Sequence, residues 1–312
     1  MKSLYYICTQ PATLFYAWQV EVMVNNFLKN GISSEHIHIV SAIKQGDIPS
    51  EWRKLQSHFP SVGFFFYEDD RKNDIYPVTV RPHILKKHFT EHPYLTHHAV
   101  MYHDCDMVFT KPVAWEAYLQ DDIWYGSDTI SYIGSSYIKS KKYGVYERMC
   151  EIVDISESVP LKNELNTIGA QMIMKNVTVD YWMKVEKDCD ALYEFFMNHL
   201  KAFPYSVRYH PIQKWTAEMW AILWNAWYFK HETRVVKDME FIWPGHKPSE
   251  WDEKYIYHNA GVLGPNENKH FFKGMYMNKL PYDIRLEDFN PHSCSYKYVE
   301  AILDTAKTSC LL

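Results

Sequence analysis

Apolar residues near the start of the chain fall into two successive patterns. Residues 4–8 form a short apolar run, which predicts a buried strand. Pro11 then opens a segment in which apolar side chains recur at helical spacing, as at Leu14, Trp18 and Val22, and Gly31 ends it. The chain therefore begins as a strand followed by a helix.

The same alternation continues along the chain. Further strands are predicted at residues 37–42, 62–67 and 99–102, with a helix at about 82–90. Shorter strands follow near 124–127 and 171–174, with helices at about 179–200 and 216–227. This order is typical of an α/β fold with a Rossmann-like, mixed and mostly parallel sheet flanked by helices. No linker, repeat or low-complexity tract interrupts it, so we predict a single domain over residues 1–312 whose nucleotide-binding half is residues 1–110.

Charge and cysteine usage exclude several classes of protein. The 312 residues include 33 Lys and Arg against 38 Asp and Glu, and the net charge of -5 argues against a nucleic-acid-binding protein. No apolar stretch approaches the roughly 18 to 20 residues of a membrane span, and the apolar run at the start of the chain is too short for a signal-peptide core. The 6 cysteines form no C-x-x-C pair, which argues against a disulfide framework or structural zinc. We therefore expect a soluble, cytoplasmic protein.

Aromatic residues are abundant and phosphate-binding loops are missing. Phe, Trp and Tyr make up 16% of the chain. Flat rings can stack on the C–H faces of sugars, and they can equally form the core. Neither G-x-G-x-x-G nor a P-loop occurs, so any bound phosphate must be held by other groups.

Two carboxylates follow the strand predicted at 99–102. Asp104 and Asp106 flank Cys105, and ligands collect at the carboxyl ends of strands in open α/β sheets. Carboxylates at this spacing can hold a hard divalent cation and leave coordination positions open for diphosphate oxygens. A chance occurrence or a helix cap is the alternative, and a haloacid-dehalogenase-like phosphatase would need Thr in place of Val108. We predict a Mn²⁺ or Mg²⁺ site here.

A late segment adds a histidine and a lysine. A neutral imidazole at His258 could complete the coordination shell that the two aspartates begin, and the ammonium of Lys273 could neutralise a departing phosphate. With 16 histidines in the chain, a structural role for His258 is the alternative.

Glu218 lies near the start of a predicted helix, between Trp215 and Trp220. An acid in the first helical turn is favoured by the helix dipole, which is a sufficient structural reason for it. Aromatic walls instead suggest a pocket in which a sugar stacks while Glu218 accepts a proton from an attacking hydroxyl or binds sugar hydroxyls. Both interpretations stay open.

Three weaker candidates remain. Gly169 would let the backbone approach a ligand and Gln171 offers hydroxyls both a donor and an acceptor, although a plain turn explains the pair almost as well. Arg81 could anchor a diphosphate or form a surface salt bridge.

Taken in order, these elements resemble a nucleotide-sugar glycosyltransferase of the GT-A fold. Segments 15–19, 103–107, 168–171 and 215–219 are similar to the hydroxyproline O-arabinosyltransferase and peptidyl-serine α-galactosyltransferase group. The similarity spans most of the chain but is patchy, and it is best near residues 98–110, 166–227 and 255–274. It implies a single GT-A-like domain in which residues 111–312 form the sugar- and acceptor-binding half.

The resemblance also implies roles for the candidate residues. Asp104 and Asp106 would contact the ribose and the metal, and His258 would be the third metal ligand. Lys273 would lie by the β-phosphate. Cys8, Thr9 and Gln10 at the end of the first strand would hold the uracil and ribose. Gly169 and Gln171 would line the sugar site.

The expected activity is metal-dependent transfer of a pentose or hexose from a UDP-sugar to a hydroxyl of a glycan or glycoprotein acceptor. The cation and Lys273 would stabilise charge on the leaving diphosphate. Glu218 would deprotonate the acceptor in an inverting displacement, which we favour slightly because a single aromatic-framed acid is visible. One alternative is a retaining galactosyl- or arabinosyltransferase that acts on peptidyl Ser or Hyp. A non-catalytic sugar-binding protein is the other alternative. A nucleotidyltransferase would be expected to carry a glycine-rich loop after its first strand, and this chain has none there.

Overall fold

The computed structural model describes residues 2–142, 144–265 and 267–312. It has a mixed α/β architecture in which a mostly parallel sheet of seven strands is flanked by helices, as the sequence predicted, and a second sheet has three strands. The strands are β1 (Leu4–Pro11), β2 (Ile37–Ile43), β3 (Gly63–Glu68), β4 (Ala99–His103), β5 (Met107–Phe109), β6 (Trp124–Asp128), β7 (Ile168–Lys175), β8 (Thr233–Val235), β9 (Phe241–Ile242) and β10 (Ile256–His258). The helices are α1 (Leu14–Lys29), α2 (Ser50–His58), α3 (Val80–Glu91), α4 (Ile130–Ile133), α5 (Ser135–Lys139), α6 (Val145–Val153), α7 (Ser158–Lys162), α8 (Val179–Ala202), α9 (Ala217–Tyr228), α10 (Ser249–Glu253) and α11 (Cys294–Ala306).

The strand order of the larger sheet is β3-β2-β1-β4-β7-β6-β8, and that of the smaller sheet is β5-β10-β9. β2 pairs in parallel with both β1 and β3, and β6 pairs in parallel with β8. β6 and β7 are antiparallel. Strands covered on both faces are apolar throughout rather than alternating, which is why the sequence pattern located them as short apolar runs.

The first strand is longer than predicted. β1 extends to Pro11, which pairs with Ala42 in β2, and the N–H of Ala12 donates to the Ala42 carbonyl oxygen over 2.8 Å. Pro11 therefore ends the strand and does not open the helix, which begins at Leu14 after the extended residue Thr13. The other predicted helices and strands match the structure to within about three residues at each end.

The chain forms two compact units, each built from three segments. The first unit comprises Met1–Leu4, Asp69–Met101 and Tyr118–Lys237, and the second comprises Tyr5–Glu68, Tyr102–Ala117 and Asp238–Leu312. Among the described residues, no helix combines the length and the apolar character that crossing a membrane requires.

The first unit is organised around α8, which packs against α3, α6 and α9. The hydroxyl of Tyr181 on α8 donates to the carbonyl oxygen of Ile222 on α9 over 2.8 Å. The ring of Trp182 contacts Phe89 of α3 at 6.0 Å between centroids. The aromatic residues that suggested sugar stacking are therefore in large part core residues here.

The second unit packs α1 against α2, α11 and β5. Trp18 of α1 contacts Phe271 at 5.9 Å between ring centroids, and Tyr257 of β10 stacks on Tyr298 of α11 at 5.2 Å. The carboxylate of Glu21 is fully buried and accepts hydrogen bonds from the Tyr282 and Ser309 hydroxyls and from a backbone N–H.

Candidate functional site

The predicted metal ligands lie in the second unit at one end of the three-stranded sheet, where β5 begins and β10 ends. Asp104 and Asp106 lie in the turn between β4 and β5, and His258 is the last residue of β10. β10 pairs antiparallel with β5, and the register sets His258 opposite Met107. The backbone N–H of Asn259 also donates to the carbonyl oxygen of Asp106 over 3.0 Å. This pairing brings the histidine beside the acid pair.

The three side chains converge. His258 Nε2 lies 3.4 Å from Asp104 Oδ2 and 3.2 Å from Asp106 Oδ1. One ligand atom from each residue lies within 4.8 Å of the others. Asp106 and His258 are buried, whereas the Asp104 side chain is 34% exposed. The cluster therefore has an anchored side and a side that solvent reaches.

Lys273 belongs to the same cluster. It begins the 3₁₀ turn Lys273–Tyr276, and its ammonium donates a short hydrogen bond to Asp106 Oδ2. Asp106 thus contacts His258 through one carboxylate oxygen and Lys273 through the other. The Lys273 side chain as a whole is 34% exposed, while its ammonium is paired with the buried carboxylate of Asp106.

Each charge in the cluster depends on its neighbours, because burial disfavours every charged form. Burial lowers the pKa of His258, but Asp106 and Asp104 outweigh that effect and raise the pKa to about 9. Burial raises the pKa of Asp106, yet Lys273 and His258 bring it below the usual range. Burial lowers the pKa of Lys273 and Asp106 outweighs it, so the net shift is upward. Asp106 therefore favours the charged forms of His258 and Lys273, and they in turn favour the charged form of Asp106.

The donor set fits a hard divalent cation. The two carboxylates suit Mn²⁺ or Mg²⁺, whereas the imidazole nitrogen is a softer ligand that Mn²⁺ accepts more readily than Mg²⁺. Nε2 is the ring atom that faces both acids. Metal-bound histidines usually donate their other N–H to a neighbouring group. His258 Nδ1 is buried with no hydrogen-bond partner among the described residues, so packing against the Phe241 ring, 5.3 Å away between centroids, holds the imidazole instead.

The predicted nucleotide segment also lies in the second unit. Cys8, Thr9 and Gln10 are buried residues of β1, and Gln10 pairs with Ser41 in β2. Gln10 Nε2 donates to the Val40 carbonyl oxygen over 3.2 Å and to Ser41 Oγ over 3.0 Å. Its Oε1 atom is buried and has no hydrogen-bond partner among the described residues. Gln10 therefore offers an unused acceptor at the end of the strand.

Glu218 and Arg81 lie together in the first unit. Glu218 is in the first turn of α9 and Arg81 in the first turn of α3. Arg81 Nη1 donates to Glu218 Oε2 over 3.0 Å, and the two side chains are 17% and 6% exposed. Of the two interpretations of Arg81, the structure contains an ion pair, and that pair is buried rather than on the surface.

The two tryptophans that flank Glu218 differ. Trp215 is 62% exposed, and its backbone carbonyl oxygen accepts a 2.5 Å hydrogen bond from the Tyr76 hydroxyl. Trp220 is fully buried and donates from Nε1 to the Ile133 carbonyl oxygen over 2.8 Å. Only Trp215 therefore presents a ring to solvent.

Gly169 and Gln171 lie on β7, next to an irregularity in its pairing with β6. A Cβ atom on Gly169 would lie 2.8 Å from the Met219 side chain and 2.9 Å from that of Thr129, so packing within the protein already requires glycine. Gln171 is buried and donates from Nε2 to Ser127 Oγ over 2.8 Å.

The sequence did not single out Asn259 as part of the site. Its N–H holds the Asp106 backbone, and its side-chain oxygen accepts a 3.0 Å hydrogen bond from the Tyr257 hydroxyl. Its place directly after a candidate ligand is the one sequence signal that could have identified it.

No protein-family model and no curated protein matches the chain. Among solved structures, the chain is similar to WbbM, described as a bifunctional glycosyltransferase, with a TM-score of 0.51 and 8% identity over 97% of this chain and 50% of that one. The chain thus spans half the length of WbbM. A structure of the galactosyltransferase LgtC in complex with donor and acceptor sugar analogues matches with a TM-score of 0.45 and 10% identity, over 97% of this chain and 95% of that one. The match to WbbM shows a fold shared with a glycosyltransferase.

Proposed function

We propose that the protein is a metal-dependent glycosyltransferase that uses a UDP-sugar as donor and a glycan or glycoprotein hydroxyl as acceptor. The observation that carries the proposal is the convergence of Asp104, Asp106 and His258 in the second unit. The fold shared with WbbM supports it, because that protein is described as a glycosyltransferase.

Asp104, Asp106 and His258 are the residues we propose as ligands of Mn²⁺ or Mg²⁺. A divalent cation bound there would supply positive charge to the oxygens of a leaving diphosphate. Asp106 would remain fixed by Asn259, and Asp104 is the exposed member of the cluster. The ammonium of Lys273 would then pair with a phosphate oxygen instead of Asp106.

The nucleotide is proposed to lie along the end of β1, beside Cys8, Thr9 and Gln10. The buried Oε1 atom of Gln10 supports this assignment, since a buried acceptor without a partner costs free energy that a donor from a ligand would recover. Uracil carries such a donor at its N3 position.

We propose Glu218 as the base that accepts a proton from the acceptor hydroxyl, with Trp215 as the exposed ring on which a sugar stacks. The Arg81 guanidinium now holds the carboxylate in one orientation. Because a paired carboxylate is a weaker base, this role requires the Arg81 guanidinium to release Glu218. Gly169, Gln171 and Trp220 would shape the sugar site through packing. Inversion follows from a single base, and a retaining transfer to peptidyl Ser or Hyp is the second candidate.

The test is a donor screen by UDP release in the presence of Mn²⁺. We expect one UDP-sugar to release UDP, with EDTA abolishing the release. Asp106→Asn and His258→Gln should lower turnover by roughly 10²-fold or more, whereas the matched control Asp47→Asn removes an exposed carboxylate and should leave turnover unchanged.

Two results would contradict the proposal. Metal-dependent UDP binding without UDP release from any donor or acceptor would favour a sugar-binding protein. UDP binding that is unaffected by Asp106→Asn and His258→Gln would show that the metal assignment is wrong.

A further inference from the structure

A hairpin in the first unit exposes apolar side chains. Residues 201–208 are exposed without interruption, and Ser206 and Tyr209 exchange backbone hydrogen bonds of 2.9 and 3.2 Å that close the turn. Phe203 is 42%, Tyr205 66% and Val207 97% exposed. Exposed apolar residues are ordinary when scattered singly, but a group of them on one projecting turn marks a contact surface.

Cationic side chains surround this hairpin, which we define as residues 201–210. Lys201 and Arg208 belong to it and are exposed. The ammonium of Lys142 lies 5.2 Å from the centre of the Phe203 ring and 5.1 Å from that of Tyr209.

Helix α5, which ends three residues before Lys142, is tied to the segment after the hairpin. The N–H of Gln213 donates to the Tyr137 hydroxyl over 3.2 Å, and Lys141 lies over the Tyr137 ring at 4.2 Å. Lys141 and Lys142 therefore lie in one region with the hairpin.

Two segments of the chain at the hairpin and its cations contain no acids, and Glu164 is the carboxylate that accepts hydrogen bonds from the first turn of α5. Residues 129–146 and 195–217 contain Lys139, Lys141, Lys142, Lys201, Lys214 and Arg208 but neither Asp nor Glu. At the chain average of 38 acids in 312 residues, segments of this combined length would hold about five. A positive region on a chain of net charge -5 attracts an anionic partner.

We propose that this hairpin and its cations bind the surface of a membrane that contains anionic lipids. Cations attract the headgroups, and the apolar turn enters the boundary between headgroups and acyl chains. A soluble polyanion would use the cations but would gain little from Val207, which carries no hydrogen-bonding group and no flat ring. An anionic bilayer uses both features at once.

Vesicle flotation tests the proposal. We expect the full chain to bind vesicles of phosphatidylcholine with 30% phosphatidylserine, to bind phosphatidylcholine alone at least tenfold more weakly, and to be released by high salt. Lys201→Glu with Arg208→Glu should lower binding at least tenfold, and so should Tyr205→Ser with Val207→Ser.

Matched variants control for charge and apolar area. Lys29→Glu with Arg285→Glu makes the same change of charge at exposed sites of the second unit, and Leu165→Ser with Leu263→Ser removes other exposed apolar side chains. Both pairs should bind as the unchanged protein does. Circular dichroism and the thermal midpoint check that every variant folds.

Three outcomes would overturn the proposal. The first is no preference for anionic over neutral vesicles. In the second, the control variants lose as much binding as the hairpin variants. In the third, the Ser variants bind normally while dextran sulfate competes fully, which would mean that the cations bind polyanions without any lipid insertion. UDP release does not enter the test, so its failure is separate from failure of the proposed transferase activity.

Discussion

Several side chains at the candidate site interact with more than one partner, and Asp106 is the clearest case. It binds His258 and Lys273 through its two carboxylate oxygens and Asn259 through its backbone carbonyl. A cation would therefore compete with an existing pair of positive charges. Glu218 is similar, because a base in this position must first be released from Arg81.

Glu218→Gln separates a catalytic from a structural role. If Glu218 is the base, the variant should retain UDP affinity and lose roughly 10²-fold or more of turnover. The buried pair with Arg81 makes a stability cost of about 1 to 3 kcal/mol expected in either case, since Gln keeps the hydrogen bond but leaves the guanidinium uncompensated. Turnover, UDP affinity by calorimetry and unfolding in urea provide the three measurements.

Arg81→Met is the matched control for that experiment. It breaks the same pair from the other side and leaves a buried carboxylate, so it should destabilise by at least as much. Normal turnover in Glu218→Gln, with a loss of stability equal to that of Arg81→Met, would mean that the pair is structural only.

At the scale of elements, α3 and α8 are joined by a network of charges. His83 of α3 lies 2.7 Å from Glu186 Oε1 of α8 through Nδ1 and 2.7 Å from Asp70 Oδ1 through Nε2. Lys86 and Lys87 contact the same two carboxylates. Hydrogen bonds from Lys87 and His83 lower the pKa of Asp70 to about 2. Burial raises the pKa of Glu186, but His83 and Lys86 outweigh it and bring the pKa below the usual value.

This network predicts an acid-dependent stability. A carboxylate whose pKa is depressed by folding stabilises the protein above its unfolded pKa, about 4.3 for Glu and 3.9 for Asp, and that stability is lost as the pH falls toward the folded pKa. Glu186→Gln should cost on the order of 1 kcal/mol at pH 7, and its difference from the unchanged protein should shrink between about pH 5 and pH 3. Urea unfolding across this range measures it. Glu253→Gln removes an exposed carboxylate of α10 as control, and an equal pH slope in both variants would refute the assignment.

For the whole molecule, the two compact units divide the candidate residues. The proposed metal ligands, Lys273 and the β1 segment fall in the second unit, although they come from all three of its sequence segments. Glu218, Arg81, Gly169 and both tryptophans fall in the first unit. Each unit is thus assembled from distant parts of the chain.

A ligand that binds only the folded chain raises the stability of the whole molecule. With Mn²⁺ present and UDP at about 100 times its dissociation constant, the gain from UDP is about 2.7 kcal/mol, which corresponds to a rise of several degrees in the thermal midpoint. Calorimetric scans should show the rise with both ligands present and its loss with EDTA. Asp104→Asn should lose most of it and Asp47→Asn none. A rise that persists in Asp104→Asn would place the cation elsewhere.

The sequence by itself located the longer strands and helices α1, α3, α8 and α9, whereas helices α2, α6 and α11 were not predicted. Long, strongly periodic segments such as α8 and α9, and apolar runs such as β4, were located correctly because their signals are local. The short strands β5, β8, β9 and β10 were missed, since two or three residues carry no period. The acid pair after β4 was predicted from the rule that ligands gather at strand ends, and the resemblance added His258 as its third member.

The tertiary structure decided what those residues contact. The pairing of β5 with β10 brings His258 to Asp106. A local sequence pattern cannot predict this pairing, because the two strands are far apart in the chain. The same limit hid the ion pair of Arg81 with Glu218 and the difference between the exposed Trp215 and the buried Trp220, whose sequence settings look alike. Residue types and local periods fix which chemistry is available. Long-range packing decides which of these groups come together in one site, because burial and charge partners come from segments that meet only in the folded chain.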